Sequence, residues 1–179
     1  MVQDDPLGST SITDESVIDR LLERNRLQGW SRRIAPDRRP RLRLAIVTCM
    51  DSRIDVFEAF GLQRGDAHVL RNAGGLVSDD TLRSLVLSQR LLGTTDVMLI
   101  HHTDCGVHGL DEAAFARDLE RETGQRPTSD FGAFDDLDAD VRRSIARVID
   151  SPFVASKHAV RGFVYDVETG LVREVARES

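Results

Sequence analysis

Leu44-Ala45-Ile46-Val47-Thr48-Cys49-Met50-Asp51-Ser52-Arg53 is the stretch on which the fold of this chain turns. Leu44 to Thr48 form a short apolar, partly β-branched run, which reads as a buried strand ending at Cys49. Downstream, Ile54 to Phe60 reads as a short helix stopped by Gly61. Ala67-His68-Val69-Leu70 reads as a second strand. Ser78-Asp79-Asp80 then opens a helix with a capping hydroxyl and two carboxylates at the positive end of its dipole. That helix carries Leu82, Leu85, Val86, Leu87, Leu91 and Leu92 before Gly93. These residues cover more than one stripe, which suits a helix packed against a partner as well as its own sheet. Asp96 to His101 is a third strand. Acidic helical stretches follow over about 111–122 and 137–149, with a loop at 124–136. Arg161 to Asp166 is a fourth strand, Glu168-Thr169-Gly170 a turn, and Leu171 to Val175 an added edge strand. Strands alternating with helices predict the α/β class: a central, mostly parallel sheet of four strands plus that edge, flanked by helices.

Upstream, residues 1–12 are polar and aperiodic. Thr13 or Asp14 is expected to cap a helix running to about Gly29, with Val17, Ile18, Leu21 and Leu22 on one face. Residues 31–43 hold Arg32, Arg33, Arg38, Arg39, Arg41 and Arg43 with Pro36 and Pro40. In an acidic chain this reads as a solvated linker, the alternative being a phosphate- or acid-binding patch. The 179 residues therefore divide into an arm and basic linker over 1–40 and a single α/β domain over 41–179. A net charge of −6 argues against a general nucleic-acid binder, whose footprint would be basic. No apolar run approaches the roughly 18 residues of a membrane span. The amino terminus lacks the basic start and apolar stretch of a signal peptide, so cytoplasm is the expected compartment. Two cysteines, Cys49 and Cys105, are too few for a disulfide scaffold. Kept reduced, they are either inert buried thiols or metal ligands.

The metal reading gains from placement. Cys49 ends the first strand, and His102-Thr103-Asp104-Cys105 follows the third. In a doubly wound sheet, ligands bind beyond the carboxyl ends of the strands where the winding reverses. If strands one and three are neighbours, Cys49, His102 and Cys105 converge there. Two thiolates and an imidazole suit zinc, and three protein ligands leave a tetrahedral position open, as in catalytic sites. Asp51 and Arg53 sit beside this set. An arginine fork can hold a carboxylate bidentately, which would poise Asp51 to accept a hydrogen bond at the site or to fill the open position itself. The bland alternative is a surface ion pair of little worth.

Three motifs, Cys49-Met50-Asp51-Ser52-Arg53, Arg71-Asn72-Ala73-Gly74-Gly75 and His101-His102-Thr103-Asp104-Cys105-Gly106, resemble those of the β-class carbonic anhydrases. The likeness extends from about Leu42 to Val175 and is nearest the compact bacterial branch. The resemblance implies zinc, one per subunit, on Cys49, His102 and Cys105. It also implies an Asp51–Arg53 catalytic dyad, with Asp51 a fourth ligand in a closed state. The activity implied is reversible hydration of carbon dioxide to bicarbonate and a proton, a carbonate dehydratase (lyase) reaction. The same branch resembles carbonyl sulfide hydrolases and, more distantly, carbon disulfide hydrolases, which use the same zinc-activated water. A non-catalytic zinc-binding or sensing protein is a further alternative, disfavoured by the intact dyad. The family's unit is a homodimer or dimer of dimers with pockets at the subunit interface and an N-terminal helix wrapping the partner. No nucleic-acid or membrane partner is implied.

The chain also departs from the family. No glutamine occurs in residues 33–48, where many members carry one able to bond substrate. The pocket positions, partly aromatic in plant-type enzymes, correspond here to His68, Ala73 and Leu87, with Gly74 and Gly106 beside the ligands. His108, just past the His101–Gly106 motif, could relay protons, its ordinary pKa being about 6.5; a plain loop histidine is the alternative. His101 reads as filler at the end of a strand and His158 as a surface residue. Gly74-Gly75 allows a tight turn and does not make a dinucleotide fingerprint.

Two thiolates offset more of a zinc ion's charge than imidazoles do, leaving its water a weaker acid than the roughly pH 7 of a three-histidine site. Hydration activity is therefore expected to rise with pH above neutrality. A stopped-flow profile that stays flat from about pH 6.5 to 9 would refute this expectation.

Overall fold

A computed structural model describes residues 16–28 and 37–177. Thr13, Asp14, Gly29 and the basic residues Arg32 and Arg33 lie outside that range. The first helix, α1, spans Val17–Gln28. Ser16 caps it, accepting from the Asp19 amide (3.1 Å) while its hydroxyl donates to the Asp19 carboxylate (2.7 Å). Val17, Ile18, Leu21 and Leu22 are all exposed on this helix, which forms a unit of its own.

The second unit is built on five strands: β1 (Leu44–Cys49), β2 (Ala67–Asn72), β3 (Asp96–His102), β4 (Val160–Tyr165) and β5 (Val172–Val175). Their order is β2-β1-β3-β4-β5, with the first four parallel and β5 antiparallel to β4. The expected four-stranded sheet with an added edge is thus observed. One detail differs: His102 is the last residue of β3 rather than a loop residue beyond it.

Strand alternation explains the core. Ala45 and Val47 of β1 and Val97 and Leu99 of β3 face one side of the sheet. There they meet Leu85 of α3 (Asp79–Arg90) and Val141, Ile145 and Val148 of α5 (Leu137–Asp150). Ile46, Ile100, Phe163 and Tyr165 face the other side, against Ile54, Val56 and Phe134. A strand buried on both faces reads as a continuous apolar run, as Leu44 to Thr48 does.

The helix covering is uneven. The predicted helix from Ile54 is reduced to α2 (Val56–Ala59), because Asp55 spends its carboxylate capping the amides of Phe57 and Glu58. The helix α4 (Glu112–Thr123), capped by Asp111, buries no residue among those described, so loops around Phe134 close the second face with α2. Ser78 caps α3 as expected. Arg41 pairs with Asp66, and Arg43 donates to the Gly93 carbonyl, so both brace the entry to β1 rather than line a basic patch.

α5 approaches β4 over Gly162, where an added Cβ would lie 2.3 Å from Val141 Cγ1 and 2.7 Å from Ile145 Cδ1. Gly162→Ala is expected to cost about 1–3 kcal/mol through overpacking. The check is a lowered urea midpoint at unchanged slope.

Candidate metal centre

The winding reverses between β1 and β3, because β2 lies on one side of β1 and β3 on the other. Thr48 pairs with Ile100, so Cys49 and His102 emerge at neighbouring levels of the sheet's carboxyl edge. The donor atoms of Cys49, His102 and Cys105 lie within 4.8 Å of one another, and all three residues are buried. The expected convergence is therefore present.

Alternation separates the two adjacent histidines. His101 points toward α5, its Nδ1 3.0 Å from Asp140 Oδ2 but out of line for a hydrogen bond, and its Nε2 3.3 Å from Ser144 Oγ. His102 points to the cysteines. Its Nδ1 lies 2.9 Å from the Thr103 carbonyl, which can only accept, so Nδ1 carries the proton and Nε2 the lone pair. That buried Nε2 has no hydrogen-bond partner among the described residues.

The thiols act as a pair. Cys105 hydrogen-bonds to Cys49 and, with the backbone N–H groups of Asp51 and Gly74, pulls the Cys49 thiol far below its ordinary pKa against the effect of burial. Cys105 shifts upward, since its proton is the one donated and burial adds to the rise.

Asp51 lies at the mouth of this cluster, its Oδ2 4.0 Å from His102 Nε2. Arg53 grips it bidentately, Nε to Oδ1 at 3.0 Å and Nη2 to Oδ2 at 2.7 Å, while the Arg53 amide also donates to Oδ1. These donors hold the Asp51 carboxyl far below the usual carboxylate range. Gly75 fixes the floor of the site. At φ +70° an added Cβ would meet Cys49 N at 2.9 Å and the Ile100 carbonyl at 3.1 Å, so only glycine lets this turn nest against both strand ends.

A family model described as carbonic anhydrase matches residues 44–172. The chain belongs to the carbonic anhydrase family. It is 48% identical over 136 residues to beta-carbonic anhydrase 1 of Mycobacterium tuberculosis, covering 76% of this chain and 83% of that protein. It resembles the crystal structure of carbonic anhydrase from Streptococcus mutans, with a TM-score of 0.85 and 42% identity over 92% of this chain and all of the other. It is also 32% identical to a carbon disulfide hydrolase of Acidithiobacillus thiooxidans, over 73% of this chain and 76% of that protein.

The β-carbonic anhydrases are zinc enzymes, and this donor set fits zinc. An orphaned, buried imidazole nitrogen beside two buried thiols, one of them pulled down by the other and by backbone amides, is what a borderline-soft cation takes up. The Thr103 carbonyl supplies the outer support that orients a ligating histidine.

Not every expected site residue joins this cluster. Gly74 packs against Val107 and its backbone N–H reaches Cys49, while Ala73 and Gly106 are exposed. His68 pairs with Ala45, four residues back along the sheet from the Cys49 level, and bonds Ser88 at 2.8 Å. Leu87 lies on α3, 41% exposed. Neither His68 nor Leu87 joins the Cys49–His102–Cys105 cluster. His108 is exposed, its Nε2 3.0 Å from the Asp135 carbonyl and its ring stacked on Phe134. The sequence assigned no role to Arg71, whose Nε and Nη2 donate to the carbonyls of Cys49 (2.9 Å) and Asp51 (2.6 Å). Its position in the second motif was the signal available.

Cys49→Ser and Cys105→Ser are each expected to lose bound zinc and activity together. Elemental analysis finding full zinc occupancy in either purified variant would overturn the ligand assignment.

Proposed function

We propose that this protein catalyses the reversible hydration of carbon dioxide at the Cys49–His102–Cys105 centre, with Asp51 and Arg53 as the working dyad. The observation that carries this reading is the ionised Asp51 carboxylate, clamped by Arg53 and aimed at the buried lone pair of His102. Zinc bound there supplies Lewis-acid activation of water. The residues of the chain do the rest. Asp51, unable to take up a proton near neutrality, accepts a hydrogen bond from the reacting water and orients it. Arg53 keeps that carboxylate facing the site; released from Arg53, Asp51 would serve as a fourth ligand and close it. His108 passes the proton to solvent: its Nε2–H is given to Asp135 O, which leaves Nδ1 as the basic nitrogen.

The organisation that supports this activity is a catalytic domain over 41–179 and an N-terminal arm over 1–40, working as a homodimer or dimer of dimers in the cytoplasm. The exposed apolar side chains of α1 support the arm. Leu87, Leu91 and Phe153 are exposed near a cleft of about 550 Å³ lined by Leu82, Val86, Leu87 and Phe153, which supports an interface. His68 and Leu87 would line a substrate pocket only from a second copy. Among the described residues, no helix is long and apolar enough to cross a membrane.

Hydrolysis of carbonyl sulfide or carbon disulfide is the second reading, supported by the likeness to carbon disulfide hydrolases. Side-by-side assays decide: carbon dioxide hydration is expected to exceed turnover of either sulfur substrate, and the reverse order would favour the second reading. Asp51→Asn is expected to keep zinc and lose hydration activity by at least about 100-fold. Full activity in that zinc-replete variant would remove the dyad from the mechanism.

A further inference from the structure

Arg53 is held from two sides, and only one of them belongs to the dyad. Besides the two guanidinium bonds to Asp51, Nη1 donates to Asp104 Oδ2 at 2.7 Å and Nη2 donates to the Asp104 backbone carbonyl at 2.9 Å. Four of the five guanidinium N–H groups are therefore engaged. Asp104 makes both contacts because its backbone is left-handed, φ +54°, a conformation that aspartate tolerates better than most residues. It stands between the ligands His102 and Cys105. Arg53 thus bolts the loop after β1 to the loop after β3.

We infer that Asp104 is a positioning residue for the reaction. By fixing the far side of the Arg53 guanidinium, it sets where the Asp51 carboxylate stands relative to the metal ligands. Its carboxylate is 79% exposed, so the contact adds little to fold stability. Its value is geometric: a planar fork clamped on one side swings with its partner, and one clamped on both sides does not. A small displacement of a catalytic group is costly in rate.

The inference rests on the carbonic anhydrase reading, and the test separates the two. Zinc-loaded full-length Asp104→Gly keeps the left-handed backbone and removes the carboxylate, and Asp104→Asn keeps an uncharged acceptor. We expect kcat for carbon dioxide hydration to fall about tenfold in Asp104→Gly, with KM within about twofold and zinc content unchanged. Asp104→Asn should recover part of the loss. In an Arg53→Lys background, Asp104→Gly should cause no further loss. Unchanged kcat, or equal losses in both backgrounds with no recovery by asparagine, would overturn the inference. NMR of the Arg53 guanidinium, assigned by its disappearance in Arg53→Lys, gives a readout independent of turnover. Distinct Nη signals that merge in Asp104→Gly support the clamp, and signals that stay distinct refute it. If the wild-type protein hydrates no carbon dioxide, the functional reading fails while these signals still decide the role of Asp104.

Discussion

The parallel pairing of β1 with β3 is the constraint on which the rest of this structure depends. Thr48 opposite Ile100 puts Cys49 and His102 at the same edge of the sheet, on the two sides of the winding reversal. A one-residue slip would turn His101 toward the cysteines and His102 into the packing with α5. Burial resists that slip, because Val97 and Leu99 would exchange faces with Met98 and Ile100 in a core tightly filled on both sides. The same apolar packing that stabilises the sheet therefore sets the geometry of the donors.

Beyond the strand ends the backbone leaves the ladder, and its polar groups need other partners. Arginines supply many of them. Arg71 takes the carbonyls of Cys49 and Asp51, while Arg53 takes one carboxylate from each loop and the carbonyl of Asp104. Gly75 brings its turn against both strands. Thr103 is tied to the β4 exit, its amide on the Tyr165 carbonyl and its hydroxyl accepting from Val167 N. The loops that carry these donors are thus short and braced from several directions, which suits a site that must hold its donors in place.

Much of this was legible beforehand for simple reasons. A fully buried parallel strand must be apolar throughout, so Leu44 to Thr48 and Asp96 to His101 announced themselves. Helix caps are local, so Ser78 identified the start of α3. What was misjudged depended on competition between local and distant partners. The α2 helix starts late because Asp55 caps it, whereas α4 forms where its acidic pattern placed it. The roles of Arg71 and Asp104 were invisible for the same reason: their partners lie about 20 and 50 residues away.

The amino-acid sequence by itself determined the α/β class, the order of strands and helices, and the residue types able to hold zinc, because these follow from local periodicity, capping and side-chain chemistry. Only the tertiary structure decided which nitrogen of His102 is left free and that His101 turns away toward α5. It alone placed His68 and Leu87 away from the Cys49–His102–Cys105 cluster and shared one guanidinium between Asp51 and Asp104. Those outcomes depend on strand register and on contacts between loops far apart in the chain, which no local pattern encodes.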